Sequence, residues 1–181
     1  MEEVLKMSGL KRLNVKCAWN ADHPDLPLQL EELTVYHMSE NQLRCVERMP
    51  RLCSLFVLHY CGPNLTFPPS QHGRLLWLHV AINADHKPTM LSLIRAHASS
   101  LQELRVRCSL SPDDQHFYFP DLAQELADCG LLVLRRLVLV RPPNDACTGQ
   151  SAGCVLQRRT IRGVFPSSVD VVCKSCHTPG F

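Results

Sequence analysis

Leucine and valine recur along the chain in one spelling, with apolar residues at positions 1, 4 and 6 of a short segment. The clearest copy is Leu101-Gln102-Glu103-Leu104-Arg105-Val106-Arg107-Cys108. Leu10/Leu13/Val15, Leu30/Leu33/Val35, Leu52/Leu55/Val57, Leu75/Leu78/Val80 and Leu134/Leu137/Leu139 follow the same rule, and Val169/Val171 keeps the second and third anchors. Successive side chains of a strand point to opposite faces, so positions 4 and 6 share an inward face while 3, 5 and 7 share the other. Position 8 returns inward, and Cys17, Cys108 and Cys173 fall there, where a small thiol packs well. Seven strands are predicted. Counted from Leu10, Leu30, Leu52, Leu75, Leu101, Leu134 and Pro166, they start 20, 22, 23, 26, 33 and 32 residues apart.

Between strands, helical spacing alternates with breakers. Ala21 to Pro27 reads as a loop. Ser39 with Gln42 three residues on forms a capping signature, followed by Leu43, Val46 and Met49 at helical spacing up to Pro50. Cys61 to Pro69 is too rich in Gly and Pro for a helix. Pro88 opens a helix through Met90, Leu91, Leu93, Ile94 and Ala98, ended by Ser99 and Ser100. Pro120 opens another through Leu122, Leu126 and Ala127, with Gly130 as its C-terminal cap. A loop from Pro142 to about Gly153 precedes a last helix through Val155, Leu156, Ile161 and Val164, closed by Pro166.

With this spelling and period the chain resembles the leucine-rich repeat superfamily over nearly its whole length, in the longer style of ribonuclease inhibitor and F-box proteins. The resemblance implies an α/β solenoid with a parallel concave sheet and helices or loops on the convex side. Residues 1–181 then form a single domain of about seven irregular repeats, of which the last two and the tail 173–181 are divergent. The family's Asn or Cys at position 9 is replaced by Ala18, Met38, Tyr60 and Ser109, and kept in type only at Asn83. Little chain precedes Leu10 to cap the core, which implies a fragment of a longer protein or an end covered by a neighbour.

Positions 3, 5 and 7 name the expected concave lining: Arg12, Asn14, Lys16; Glu32, Thr34, Tyr36; Ser54, Phe56, Leu58; Trp77, His79, Ala81; Glu103, Arg105, Arg107; Arg136, Val138, Val140. Tyr36, Phe56, Leu58, Trp77 and His79 fall together in the middle, beside Glu103, Arg105, Arg107 and Arg136. Aromatic residues next to arginine are favoured at the centres of protein interfaces. These nine residues are the predicted protein-binding site, and the predicted function is a non-catalytic scaffold. By resemblance alone it is the substrate-recognition part of an F-box ubiquitin ligase subunit, reaching a ubiquitin-ligase adaptor through an F-box outside this chain, or a repeat-type enzyme inhibitor. Leu26-Pro27 resembles the opening of an F-box, but repeat residues follow at once.

Composition narrows this further. At 181 residues and 45% hydrophobic the chain can bury one continuous core. A net charge of +2 gives no basic excess for nucleic acid or an anionic membrane, so neither is an expected partner. Ten cysteines without a secretory start fit a reduced cytoplasmic or nuclear setting better than a disulfide framework. The apolar run Leu131 to Val140, broken by Arg135 and Arg136, is too short to cross a bilayer.

Cys173-Lys174-Ser175-Cys176-His177 matches the Cys-x-x-Cys-His pattern of c-type haem attachment, and the rival reading is a haem- or zinc-binding redox protein. Zinc would need a second ligand pair, for which Cys147 and Cys154 are the nearest residues. Haem attachment needs an export signal and an axial ligand. The simpler reading makes Cys173 an inward residue and Cys176 and His177 its tail, with no cofactor and no metal. His72, His79, His86 and His97 have no nucleophile at a recognisable elbow, and Asp113-Asp114 with His116 reads as a polar turn, so no catalytic residue is expected.

Overall fold

The computed structural model describes residues 4, 6–16, 25–58, 60, 62–82, 85–108, 119–140 and 152–175. The expected strands at Cys17, Asn83 and Ser109 end outside them, as do the turn at Asp113, Asp114 and His116 and most of the loop after Pro142.

Seven strands form one sheet: β1 (Arg12–Lys16), β2 (Glu32–Tyr36), β3 (Ser54–Val57), β4 (Trp77–Ile82), β5 (Glu103–Cys108), β6 (Arg136–Val140) and β7 (Asp170–Cys173). Their spatial order is their sequence order, and every pair is parallel. The position 4 residues stand in register across the sheet, Leu13, Leu33, Leu55, Leu78, Leu104, Leu137 and then Val171. One backbone device repeats at the entry to each strand. The carbonyl of position 2 accepts from the amides of positions 2 and 3 of the next strand. Glu31 and Glu32 donate to Lys11 O, Cys53 and Ser54 to Glu31 O, and the pattern continues through Cys53, Leu76 and Gln102. At the last junction only Asp170 donates to Arg135 O, because the Val169 amide turns back to Pro166 O.

That junction corrects the expected alignment. Val171, not Val169, stands opposite Leu137, and Cys173 opposite Leu139. Val169, Val171 and Cys173 keep period-2 spacing at either offset, and Val172 between them is apolar too, so the spacing leaves the choice open. The face is unchanged by a shift of two, and Cys173 is buried as expected.

Crossovers of one hand carry each connection to the same side of a sheet built in sequence order. Among the described residues four helices lie there: α1 (Glu40–Cys45), continued as a 3-10 turn to Arg48, then α2 (Lys87–Ala96), α3 (Leu122–Ala127) and α4 (Ala152–Val164). Their apolar residues join Leu33, Leu55, Leu78, Leu104 and Leu137 in one cluster. Ser39 caps α1 through the expected reciprocal pair. Its hydroxyl accepts from the Gln42 amide, and Gln42 Oε1 accepts from the Ser39 amide. Ser39→Ala is expected to lower stability by about 1 kcal/mol, read from chemical denaturation midpoints.

Proline opens α2 as expected, and Gly130, at φ +73°, adopts the left-handed conformation suited to a chain leaving a helix. In α4 the helix is as expected but its buried face is not. Cys154, Gln157, Arg158 and Ile161 face inward, while Val155, Leu156 and Val164 are exposed. Gln157 is drawn in by a backbone need, since its Oε1 accepts the Phe119 amide at 2.6 Å.

The breaker-rich segment after β3 is irregular, yet it is anchored. Leu65 and Phe67 are buried, and their amides donate to Thr89 Oγ1 and Ser92 Oγ of α2, each at 2.8 Å. Two hydroxyls three residues apart on one helix face thus satisfy a strand-like stretch that has no strand partner. At the end of β2, His37 takes φ 64° and interrupts the alternation, so Met38 and Tyr60 at position 9 become the buried, bridged pair. The bend expected to hold a polar side chain is filled instead by apolar ones, with Tyr60 Oη donating to Pro63 O at 2.7 Å. Among the described residues no helix is long and apolar enough to cross a membrane.

Candidate functional site

Parallel register turns positions 3, 5 and 7 into three rows across the sheet face that does not join the apolar cluster. Row 3 reads Arg12, Glu32, Ser54, Trp77, Glu103, Arg136, Asp170. Row 5 reads Asn14, Thr34, Phe56, His79, Arg105, Val138, Val172. Row 7 holds Lys16, Tyr36, Leu58, Ala81, Arg107, Val140 and Lys174, the ladder continuing past β7 through the Lys174 amide to Leu139 O.

Row 3 neutralises itself. Arg12 pairs with Glu32 at 3.0 Å. Glu103 accepts from Arg105 Nε at 2.6 Å and from Trp77 Nε1 at 2.9 Å, and Arg136 reaches both Glu103 at 3.9 Å and Asp170 at 3.5 Å. Burial works to raise the Glu103 pKa, but these hydrogen bonds and the charges of Arg105 and Arg136 outweigh it and hold it below its ordinary value. The Arg105 guanidinium lies over the Trp77 ring, 5.1 Å from its centroid. A planar cation stacked on indole and tied to a carboxylate is held in one pose, which lowers the entropy lost on docking.

Row 5 is aromatic at its centre. Phe56 meets His79 edge to face at 4.4 Å, Trp77 meets His79 at 6.0 Å, and Tyr36 meets Phe56 at 5.5 Å. His79 is only 8% exposed, and its Nε2 has no hydrogen-bond partner among the described residues. Burial first, then the positive charges of Arg105, Lys174 and Arg107, push its pKa down to about 4, so it is neutral at pH 7. His79 is therefore the floor of the site and not its surface. Val138 and Val140 are likewise buried, contrary to their place in the expected open lining.

All nine expected site residues lie on this face. Leu58, Phe56, Tyr36, His79 and Arg107 line a cavity of about 460 Å³ together with Val140, Lys174 and Ser175. Trp77, Glu103, Arg105 and Arg136 form the ion-paired cluster beside it. Lys174, Ser175 and Asp170 are absent from the expected lining, which names residues of the first six strands alone. Charge alternation carries the missing signal: Asp170 belongs beside Arg136 as Glu32 belongs beside Arg12.

The Cys-x-x-Cys-His segment is divided. Cys173 is buried in the core, while Cys176 and His177, like Cys147, lie outside the described residues. Cys154 is buried in α4. Among the described residues no group of three or more His, Cys, Asp or Glu is placed to hold a metal ion. Compared with family models, with curated proteins and with solved structures, the chain finds no match.

Proposed function

We propose that the chain is a leucine-rich-repeat scaffold that holds a protein partner on the face formed by positions 3, 5 and 7 and performs no chemistry of its own. The observation that carries this is the pre-ordered cluster of Trp77, Arg105 and Glu103 beside Phe56 and Tyr36 at the middle of an all-parallel sheet. Tryptophan, tyrosine and arginine dominate binding energy where they are packed and already oriented. Solenoid proteins place their recognition residues on such strands, because helices or loops occupy the other side.

The test uses affinity capture with the wild type, with Trp77→Ala, and with Gln124→Ala on the opposite, helical side. The reading predicts partners retained by the wild type and by Gln124→Ala but lost, by about tenfold or more, with Trp77→Ala while the fold is unchanged. Equal retention by Trp77→Ala, or loss through the helical side, would overturn it.

A further inference from the structure

The open face is electrostatically lopsided. Row 3 spends its charges on itself, whereas row 7 carries Lys16, Arg107 and Lys174, none of which enters an ion pair among the described residues. The row 7 residues themselves include no acid. Two of the three cations, Arg107 and Lys174, line the 460 Å³ cavity, whose other walls are Tyr36, Phe56, Leu58, Val140 and Ser175 and whose floor is His79. Arg107 is half-buried and Lys174 exposed beside a mostly apolar depression, and an anion held there would pair with charges that no described acid neutralises. His79 is 8% exposed and neutral, so the floor of the depression adds no third positive charge.

We propose that this cavity takes one anionic side chain, a carboxylate or a phosphoester, from an acidic extended segment of the partner, held between Arg107 and Lys174 over the imidazole of His79. This rests on the docking-face reading and adds the chemistry of what docks. Apolar residues flanking the anion pack on Tyr36, Phe56 and Leu58, and the segment runs along row 7 toward Lys16. A guanidinium grips a carboxylate or phosphate through paired N–H groups, whereas Lys174 contributes a point charge.

The probes are a fluorescein-labelled peptide alternating glutamate and leucine, the same peptide with phosphoserine for glutamate, and its lysine counterpart. Anisotropy at low and high salt reads their binding to the wild type, Arg107→Ala, Lys174→Ala and Arg12→Ala. An acidic peptide is expected to bind, to be released by salt, and to lose about tenfold with Arg107→Ala and Lys174→Ala while Arg12→Ala stays within about twofold. The His79 imidazole, followed by proton–nitrogen NMR, is expected to titrate higher with the peptide bound. Whichever acidic peptide binds tighter identifies the anion.

Failure of both acidic peptides to bind at low salt would overturn the proposal. So would equal binding by Arg107→Ala and Lys174→Ala, or equal binding of the lysine peptide. Loss of a captured partner with Trp77→Ala but not with Arg107→Ala would leave the docking face standing and remove the anion subsite.

Discussion

Leu78→Ala is expected to destabilise the protein by about 3 to 4 kcal/mol, near the upper end of what a single core truncation costs. Leu78 is fully buried and stands in register between Leu55 and Leu104 at the centre of the sheet. Ladder hydrogen bonds keep neighbouring strands about 4.8 Å apart, so the row cannot close over the lost methyl groups. The vacated volume remains a cavity, and its cost adds to the lost transfer free energy. Leu13→Ala makes the control. Leu13 occupies the same position in β1 but is only half-buried at the edge of the sheet, so its loss is expected to cost about 1 to 2 kcal/mol. Urea denaturation with a common slope measures both. Equal costs, or a Leu78→Ala cost below about 1 kcal/mol, would mean that the central row is not the core.

The second large effect is loss of stability in mild acid. His79 and His97 are both buried, and both have pKa values lowered from 6.5 to about 4. Burial is the main cause in each case. Arg105, Lys174 and Arg107 add to it at His79, and His72 at His97. The folded state therefore binds fewer protons than the unfolded chain between pH 6.5 and about 4, and stability falls as pH drops through that window. Below it both states are protonated and the loss levels off.

At about 1.4 kcal/mol per pKa unit the two imidazoles set a ceiling of roughly 3 kcal/mol each, and local relaxation lowers this to an expected loss of about 2 kcal/mol each. Glu103, whose pKa is held down by its partners, contributes stability that is lost only as pH falls below the ordinary carboxylate range. The histidine window lies above that of the carboxylate. Urea midpoints at pH 7, 6, 5 and 4 measure the slope, and His79→Gln is expected to remove about half of it. A flat profile from pH 7 to 5 would contradict the burial of both rings.

Much of the sheet is legible in the sequence because its signal is geometric. Apolar residues three and then two apart define a buried face only if the segment is extended. With Leu13, Leu33, Leu55, Leu78, Leu104 and Leu137 so marked, the register of six strands follows. Ser39 and Pro88 are legible for a local reason: a cap or a proline acts on the amides next to it, so tertiary packing cannot override it. The seventh strand is ambiguous because Val169, Val171 and Cys173 satisfy the alternation at two offsets, and the repeat spelling favours the wrong one. The tie is broken by one backbone amide turning to Pro166 and by the pairing of Asp170 with Arg136.

The site is legible as a set of residues but not as a depth profile. Sequence position places His79 and Trp77 on the same face. It does not reveal that Phe56 and Trp77 close around His79 while Trp77 itself stays half-exposed under Arg105. Nor does it show that Lys174 completes the cavity, since that depends on the last register. In α4, the inward turn of Gln157 is set by the Phe119 amide, a partner 38 residues away in the chain. Hydrophobic spacing alone favours Val155 and Leu156.

The claim on which the rest depends is that the strands lie side by side in the order in which they occur, with every position 4 residue in one row. Methyl-labelled leucine and nuclear Overhauser spectroscopy measure this directly. Neighbouring strands are about 4.8 Å apart and next neighbours about 10 Å. The account predicts an unbroken chain of strong contacts from Leu33 to Leu55, Leu78, Leu104 and Leu137, with none that skips a member. A strong contact between Leu33 and Leu78, or none between Leu78 and Leu104, would contradict it.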